Sequence, residues 1–571
     1  MGFELWGRTN TGGLRGRPLR VAITAVATTG FSLFGYDQGL MSGIITGTEF
    51  NEEFPPTWSK PHYNASEKRH ATVVQGAVTA CYEIGCFFGA LFALVRGDRI
   101  GRRPLVIVGA VLIIIGTVIS TAAFGEHWGL GQFVIGRVIT GIGNGMNTAT
   151  IPVWQSEISR PENRGKLVNL EGSVIAIGTF VAYWIDFGLS YVNSSVQWRF
   201  PVAFQIVFAA GLLGGILFMP ESPRWLLAHG KKEQAHIVLG ALNDLDPNDD
   251  HVLAESTVIT DAINRFSRSQ LGFKELMSGG KNQHFARMVI GSSTQFFQQF
   301  TGCNAAIYYS TVLFEETIFV GDRRLSLVMG GVFASVYALA TIPSFFLVDK
   351  LGRRNLFLIG ATGQALSFTI TFACLINPTK QNAKGAAVGI FLFITFFAFT
   401  ILPLPWIYPP EINPLRTRTV ASAVSTCTNW LTNFAVVMFT PIFINDAQWG
   451  CYLFFACLNY AFIPVIFWFY PETAGRSLEE IDIIFAKAYT DGRPPWRVAA
   501  TMPHLSLKEQ EEQGMQLGLY DNEAEKQKFE QTENLMSSSS SAKLPEEGSN
   551  VNENENENTN EKDQTPKPTD V

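Results

Sequence analysis

Twelve apolar runs, each near the roughly 20 residues that carry a helix across a hydrocarbon core, punctuate this chain of 571 residues. They lie at about 21–46, 72–95, 104–123, 130–153, 167–190, 200–219, 287–313, 325–347, 355–376, 386–408, 419–444 and 450–470. A backbone in hydrocarbon must satisfy its own polar groups, so runs of this length have to be helical. Glycines and prolines inside them are tolerated because neighbouring helices satisfy the freed groups. Composition agrees: 47% of side chains are hydrophobic and 16% charged, where soluble domains carry about 25% charge. A polar stretch from Pro471 to Val571 dilutes an apolar body that is richer still. The expected fold class is an all-α membrane protein with twelve transmembrane helices.

The runs divide six and six. The boundaries are 1–20 for a cytoplasmic N-terminus, 21–219 for a first six-helix bundle and 220–286 for a cytoplasmic linker with helices. A second bundle occupies 287–470, and 471–571 is a polar cytoplasmic tail, mostly disordered after about 490. That disorder follows from composition, a Ser537–Ser541 run and an Asn/Glu repeat over 552–557. The first run follows Arg8, Arg15, Arg17 and Arg20, but it is too long for a signal peptide and lacks an A-x-A-like cleavage site. With both termini cytoplasmic, the inner segments hold about 16 Lys and Arg against about 8 outside, the sense of the positive-inside bias. Asn64-Ala65-Ser66 and Asn193-Ser194-Ser195, both N-glycosylation patterns, then face outward, as expected of a multi-pass plasma-membrane glycoprotein.

Three motifs occur twice. Gly97-Asp98-Arg99-Ile100-Gly101-Arg102-Arg103 returns as Asp349-Lys350-Leu351-Gly352-Arg353-Arg354, an offset of 251. Glu157 and Arg164 return as Glu411 and Arg418, an offset of 254. Pro220-Glu221-Ser222-Pro223-Arg224 is echoed by Pro471-Glu472-Thr473-Ala474-Gly475-Arg476, again at 251. Near-equal offsets mark a duplicated six-helix unit, and two such halves with a site between them are the architecture of a rocking transporter. The acids and arginines of these loops are expected to bond across the halves in one conformation and separate in the other. Glu157, Arg164, Glu411 and Arg418 form that cytoplasmic gate, braced by Asp98, Arg102, Asp349 and Arg353.

No G-x-x-x-x-G-K-[ST] phosphate loop is present, so coupling to ATP hydrolysis is excluded. The histidines and carboxylates make no metal set and no nucleophile with a base, so no cofactor, metal or enzymatic role is expected. Nor is a nucleic-acid partner. The seven cysteines, without C-x-x-C spacing, read as small buried hydrophobes.

An ionisable residue within the membrane is costly enough to be a functional candidate. Asp37 lies about ten residues, roughly 15 Å, below the outer end of its run, and Arg137 about seven, roughly 10 Å, depths that let them pair. The arginine favours a charged aspartate and burial a neutral one, so a small movement loads or releases a proton. A permanent ion pair is the alternative. Glu83 and Glu171 are further acids that could titrate.

In the seventh run, Gln298 and Gln299 point well away from Asn304 on a regular helix of about 100° per residue. They converge only if the helix unwinds near Gly302, as transporter helices do at binding sites. Amides of this kind suit a neutral polyhydroxyl ligand, with interhelical hydrogen bonding as the alternative. Pro405-Trp406 and Asn429-Trp430 with Asn433 add an aromatic surface and further amides. Gly85 with Gly89 and Gly141 with Gly145 read as close helix contacts.

These residues resemble the sugar porter family of the major facilitator superfamily over about residues 20–485. The likeness is carried by Gly97–Arg103, Pro220-Glu221-Ser222-Pro223-Arg224-Trp225-Leu226, Gln298-Gln299-Phe300-Thr301-Gly302-Cys303-Asn304, Asp349–Arg354 and Pro471–Ser477. Gly141–Thr148 and Trp154-Gln155-Ser156-Glu157 resemble a fungal branch of proton-coupled glycerol and glucose carriers. The resemblance implies two pseudo-symmetric bundles, with Gln298, Gln299, Asn304, Tyr308, Trp406 and Asn429 on the substrate and Phe34 and Trp430 lining the cavity. It also implies Asp37 as the proton site and Arg137 as its partner. Two positions depart from the family: Gly172, preceded by Glu171, replaces a glutamine, and Tyr337 an asparagine. The expected function is uptake of a monosaccharide, such as the hexose glucose, or a small polyol by proton symport, working as a monomer in the lipid bilayer. A passive facilitator and a non-transporting nutrient sensor signalling through the tail are the alternatives.

Overall fold

The computed structural model describes residues 9–59, 63–125, 128–159, 164–267, 277, 279–319, 322–377, 379–414 and 417–519. Among these, regular structure is helical throughout. The first six runs are α1 (Gly16–Ile44), α2 (Ala65–Ile100), α3 (Arg102–Thr121), α4 (Gly129–Ile158), α5 (Arg164–Leu189) and α6 (Val196–Leu217). The seventh is broken into α7a (His284–Phe300) and α7b (Cys303–Leu313), and the eighth into α8a (Arg323–Ala340) and α8b (Ser344–Leu351). There follow α9 (Arg353–Ile376), α10 in the pieces Lys380–Phe396 and Leu404–Ile412, α11 (Arg418–Ala447) and α12 (Trp449–Phe469).

Among the described residues nine helices are long and apolar enough to cross a membrane, ten when α8a and α8b, bent by 48°, count as one span. Of the two remaining segments, α7 is broken into pieces of 17 and 11 residues, and α4 carries Arg137 together with Asn144, Asn147 and Gln155. Outward-facing Phe88, Val95, Ile115, Val207 and Leu339 are exposed, a surface that calls for lipid rather than water.

The paired glycines let α2 and α4 meet backbone to backbone. A Cβ on Gly89 would stand 2.1 Å from the Ile142 carbonyl oxygen, and one on Gly145 2.0 Å from that of Cys86. The cysteines divide: Cys81, Cys86, Cys303 and Cys451 are buried as expected, Cys374 and Cys427 are half-buried, and Cys457 is exposed. Its place on the outward face of α12 explains this, since a small apolar side chain is as stable in lipid as in a core.

The linker contains helices over Pro223–Ala228, Lys232–Asn243 and Asp250–Ser267. The chain carries helices on either side of residue 490, at Leu478–Asp491, Pro495–Thr501 and Leu507–Gln516. Arg476 explains much of this, because it donates to the carbonyls of Ala499 (2.8 Å) and Met502 (2.7 Å). By its contacts the chain forms two units, 1–513 and 514–571. The serine run and the Asn/Glu repeat lie outside the described residues.

Candidate substrate and proton site

The break in α7 sits where the sequence places it. Gly302 adopts a φ of 92°, a conformation natural to glycine, and Asn459 of α12 donates to the Thr301 carbonyl freed by the break (3.1 Å). On the motif side of the break, toward the repeated Gly-Arg-Arg loops, Gln295 donates to the Pro405 carbonyl (2.7 Å) and Gln298 to that of Leu402 (3.2 Å). Those carbonyls are free for a sequence reason. Pro409, four residues after Pro405, has no N–H to offer, and the Trp406 N–H bonds Pro403 instead of Leu402.

The amides form two hydrogen-bonded clusters, one before the break and one across it. Asn429 Nδ2 donates to Gln295 Oε1 (2.6 Å) and Gln298 Oε1 (3.3 Å). Across the break, Asn304 Nδ2 donates to Gln299 Oε1 (2.6 Å) and Asn433 Oδ1 (2.7 Å), while its Oδ1 accepts from Gln38 Nε2 of α1 (3.4 Å). Gln298, Gln299, Asn304 and Asn429 are thus brought together, all buried. Phe34 meets Trp430 edge to face across the two halves, centroids 5.4 Å apart. Trp406 stands half-buried in the second piece of α10, beside the carbonyl that holds Gln295. Tyr308 lies farther along α7b, bonded to Glu83 of α2. Of the two departures, Gly172 leaves room for Leu402, 3.6 Å from where its Cβ would be, and Tyr337 packs against Phe397. Glu171 is buried in α5 beside Gly172.

Asp37 and Arg137 form an ion pair, each 1% exposed, and the guanidinium lies over the Tyr82 ring, 4.7 Å from its centroid. Asp37 Oδ2 and Arg137 Nε and Nη2 make no hydrogen bond among the described residues. The pair stands within the first half, so it holds α1 to α4 without tying the halves together.

The halves meet mainly toward the end that bears Asn64 and Asn193, both exposed. There Ser42 Oγ donates to Thr311 Oγ1 (3.1 Å), Trp184 Nε1 donates to Ser335 Oγ (3.1 Å), and Tyr183 bonds the Ile307 carbonyl. Toward the motif end Ser344 donates to Asn169 (2.7 Å).

The loop charges of this structure pair within each half. Arg102 grips Glu157 with both arms of its guanidinium, at 3.1 and 3.0 Å, and reaches Asp98 at 2.8 Å. Arg353 reaches Glu411 at 3.0 Å and Asp349 at 3.2 Å. Both clusters lie within one half, not across the two, because each arginine opens a helix packed beside the helix that its glutamate ends. Arg418 donates to the Asn413 carbonyl (3.4 Å), and the Arg164 side chain lies outside the described residues.

Several polar residues stand out only in the structure. Gln38 joins the Asn304 cluster. Asp186 is buried in α5, in a cleft with Gln197 and Arg323 from the start of α8a. Glu221 accepts from the Arg102 backbone N–H (3.1 Å), and Glu472 from those of Arg353 (2.7 Å) and Arg354 (3.1 Å). The third repeated motif is therefore a pair of acids at helix N-termini, where the dipole and the unpaired N–H groups favour an anion. Burial pushes the Glu221 carboxyl above the usual range, against the opposing pull of the backbone N–H groups of Ser222, Arg103 and Arg102.

Two six-helix bundles, a broken helix with two amide clusters at their junction and a buried acid–arginine pair define a membrane transporter of the major facilitator fold. Residues 22–485 match the family described as "Sugar (and other) transporter", and the chain belongs to that family. It is 63% identical to the sugar transporter STL1 of Saccharomyces cerevisiae over 522 residues, 91% of each chain. It is 57% identical to the major facilitator superfamily transporter mfsA of Aspergillus fumigatus over 515 residues, 90% of this chain and 95% of that one. Among solved structures it is similar to the inward-open xylose transporter XylE from E. coli, with a TM-score of 0.65 at 26% identity over 81% of this chain and 99% of that one. A second structure, of the proton:xylose symporter XylE bound to 6-bromo-6-deoxy-D-glucose, gives 0.68 at 26%, covering 82% and 99%. These relatives are transporters, and this chain is a transporter and not an enzyme.

Proposed function

We propose that the protein takes up a monosaccharide, a hexose such as glucose, or a small polyol by alternating access with proton symport. It does so in the plasma membrane with the motif end and both termini cytoplasmic, and with Asn64 and Asn193 outside as glycan acceptors. The observation that carries this reading is the pair of amide clusters at the broken α7. Their donors and acceptors are paired with one another and can be exchanged for the hydroxyls of a neutral ligand without stranding a charge. Phe34, Trp406 and Trp430 supply surfaces for the C–H faces of a ring, and Tyr308 closes the site. Asp37 carries the proton, with Arg137 as the cation that stabilises its ionised form. The names of the sugar transporter STL1 and of the proton:xylose symporter XylE support the substrate class and the coupling.

The test is uptake of a panel of sugars and polyols in a yeast lacking its own carriers, with external pH recorded. A substrate should enter with alkalinisation of the medium and accumulate until a protonophore is added. Asp37→Asn should abolish accumulation while sparing exchange; accumulation intact in that variant and indifferent to the protonophore refutes the symport.

A further inference from the structure

Glu83 lies in the middle of α2 with none of its surface exposed, and the Tyr308 hydroxyl of α7b donates to its Oε1. This contact joins the first half to the outer piece of a helix broken at Gly302. It differs in kind from the Asp37–Arg137 pair, whose two members belong to the same half. The groups that face the Glu83 carboxyl are Tyr308 and Tyr309 from α7b, Asp37 from α1, Arg137 from α4 and Asn433 from α11, with Tyr82 and Cys86 on its own helix. The cation among them, Arg137, is already paired with Asp37. Glu83 Oε2 has no hydrogen-bond partner among the described residues.

An ionised carboxylate in such a place would keep one neutral donor and no cation of its own, at a cost of several kcal/mol. The neutral acid avoids that cost and still accepts the Tyr308 bond. When the halves part at the Asn64 end, Tyr308 leaves with α7b, water reaches Glu83, and the carboxylate becomes the favoured form. We propose that Glu83 is a proton-operated latch on the outer gate: protonated, it lets Tyr308 seat and α7b close, and ionised, it holds the gate open. On closing, the carboxylate takes one proton from outside water. On opening it returns that proton to the same side, so the latch adds nothing to the net proton flux through Asp37. The inference rests on the alternating-access reading above but needs neither the substrate nor the symport.

The test uses purified full-length protein in detergent, without substrate. Spin labels at Asn193→Cys and Arg324→Cys span the two halves at the gate end, in a background with Cys374, Cys427 and Cys457 replaced by serine. Their distance distribution is read by double electron–electron resonance at about pH 5 and about pH 8. With Glu83 present, the closed population should rise as the pH falls, by up to about tenfold per unit in the closed-to-open ratio. Glu83→Gln should stay closed at both values. Tyr308→Phe should shift toward open yet keep a pH response, since Glu83 is still buried on closing, and Glu83→Leu, which should lose that response, keeps the test decisive if Glu83→Gln folds poorly. A pH response that survives Glu83→Gln overturns the latch. Failure of the symport reading would appear separately, as uptake without accumulation.

Discussion

Asn304 is the residue on which the site turns, since it donates to Gln299 and Asn433 and accepts from Gln38. Removing it strands buried partners, each at about 1–3 kcal/mol. Asn304→Ala should therefore lower the amount of folded protein at the membrane and, per folded molecule, lower kcat/KM for uptake about ten- to hundredfold. Radiolabelled uptake normalised to surface protein measures both. Its role was legible in sequence because Gly302 announces the break that turns it toward Gln298 and Gln299. Gln38 was not legible in the same way. Its neighbour Asp37 stands out by charge, whereas an amide one residue on reveals its partner only when α1 is laid against α7b. Asp186 meets the same criterion of buried charge as Asp37, but it lies near the end of its run, where charge is less costly and reads as an interface residue. Its position opposite Arg323 predicts a second effect: Asp186→Asn should loosen the gate end, raising the open fraction in the distance measurement without altering its pH response.

At the scale of helices, duplication explains what single residues do not. Gly101 and Gly352 end α2 and α8b with φ of 103° and 83°, and each faces the acid that caps the next helix. A Cβ would stand 2.6 Å from Glu221 Oε2 or 2.4 Å from Glu472 Oε2. Gly101→Ala and Gly352→Ala should each destabilise the protein by about 1–3 kcal/mol, the scale of a glycine-only conformation forced on another residue. A lowered melting temperature in fluorescence-detected size exclusion checks this, and Gly97→Ala, with its nearest neighbour 3.7 Å away, is the mild control. The repeats were visible as offsets of about 250 residues, and twelve helical segments follow from the twelve apolar runs. What the offsets did not reveal was which partners the loop charges choose. Equivalent positions in two halves satisfy a pairing across the halves and a pairing within each half equally well, and the packing of α3 beside α4 selects the second.

For the whole molecule, the tail behaves as two parts with different duties. Thr473 donates to Glu411 Oε2 (2.6 Å) and Tyr408 to the Pro471 carbonyl (2.8 Å), so the first residues after α12 are bound into the arginine–glutamate cluster of the second half. Arg476 then gathers the helix at Pro495–Thr501, the Leu505 N–H donates to Glu480 Oε1 (2.9 Å), and Ser477 donates to Gln510 (3.0 Å). Composition could not reveal this, because a short polar helix held by carbonyl contacts has no apolar signature. A chain ended after residue 490 loses these partners and leaves the Arg476 guanidinium, 8% exposed in the intact protein, without its carbonyl acceptors. It should give less folded protein and weaker uptake through the bundle itself, whatever signalling the tail performs. A chain ended after residue 519 keeps every one of these contacts and should transport and melt as the full chain does. Uptake and melting temperature measured on both truncations separate the outcomes; equal loss in the two would assign a transport role to residues 520–571 and return the sensor reading to the front.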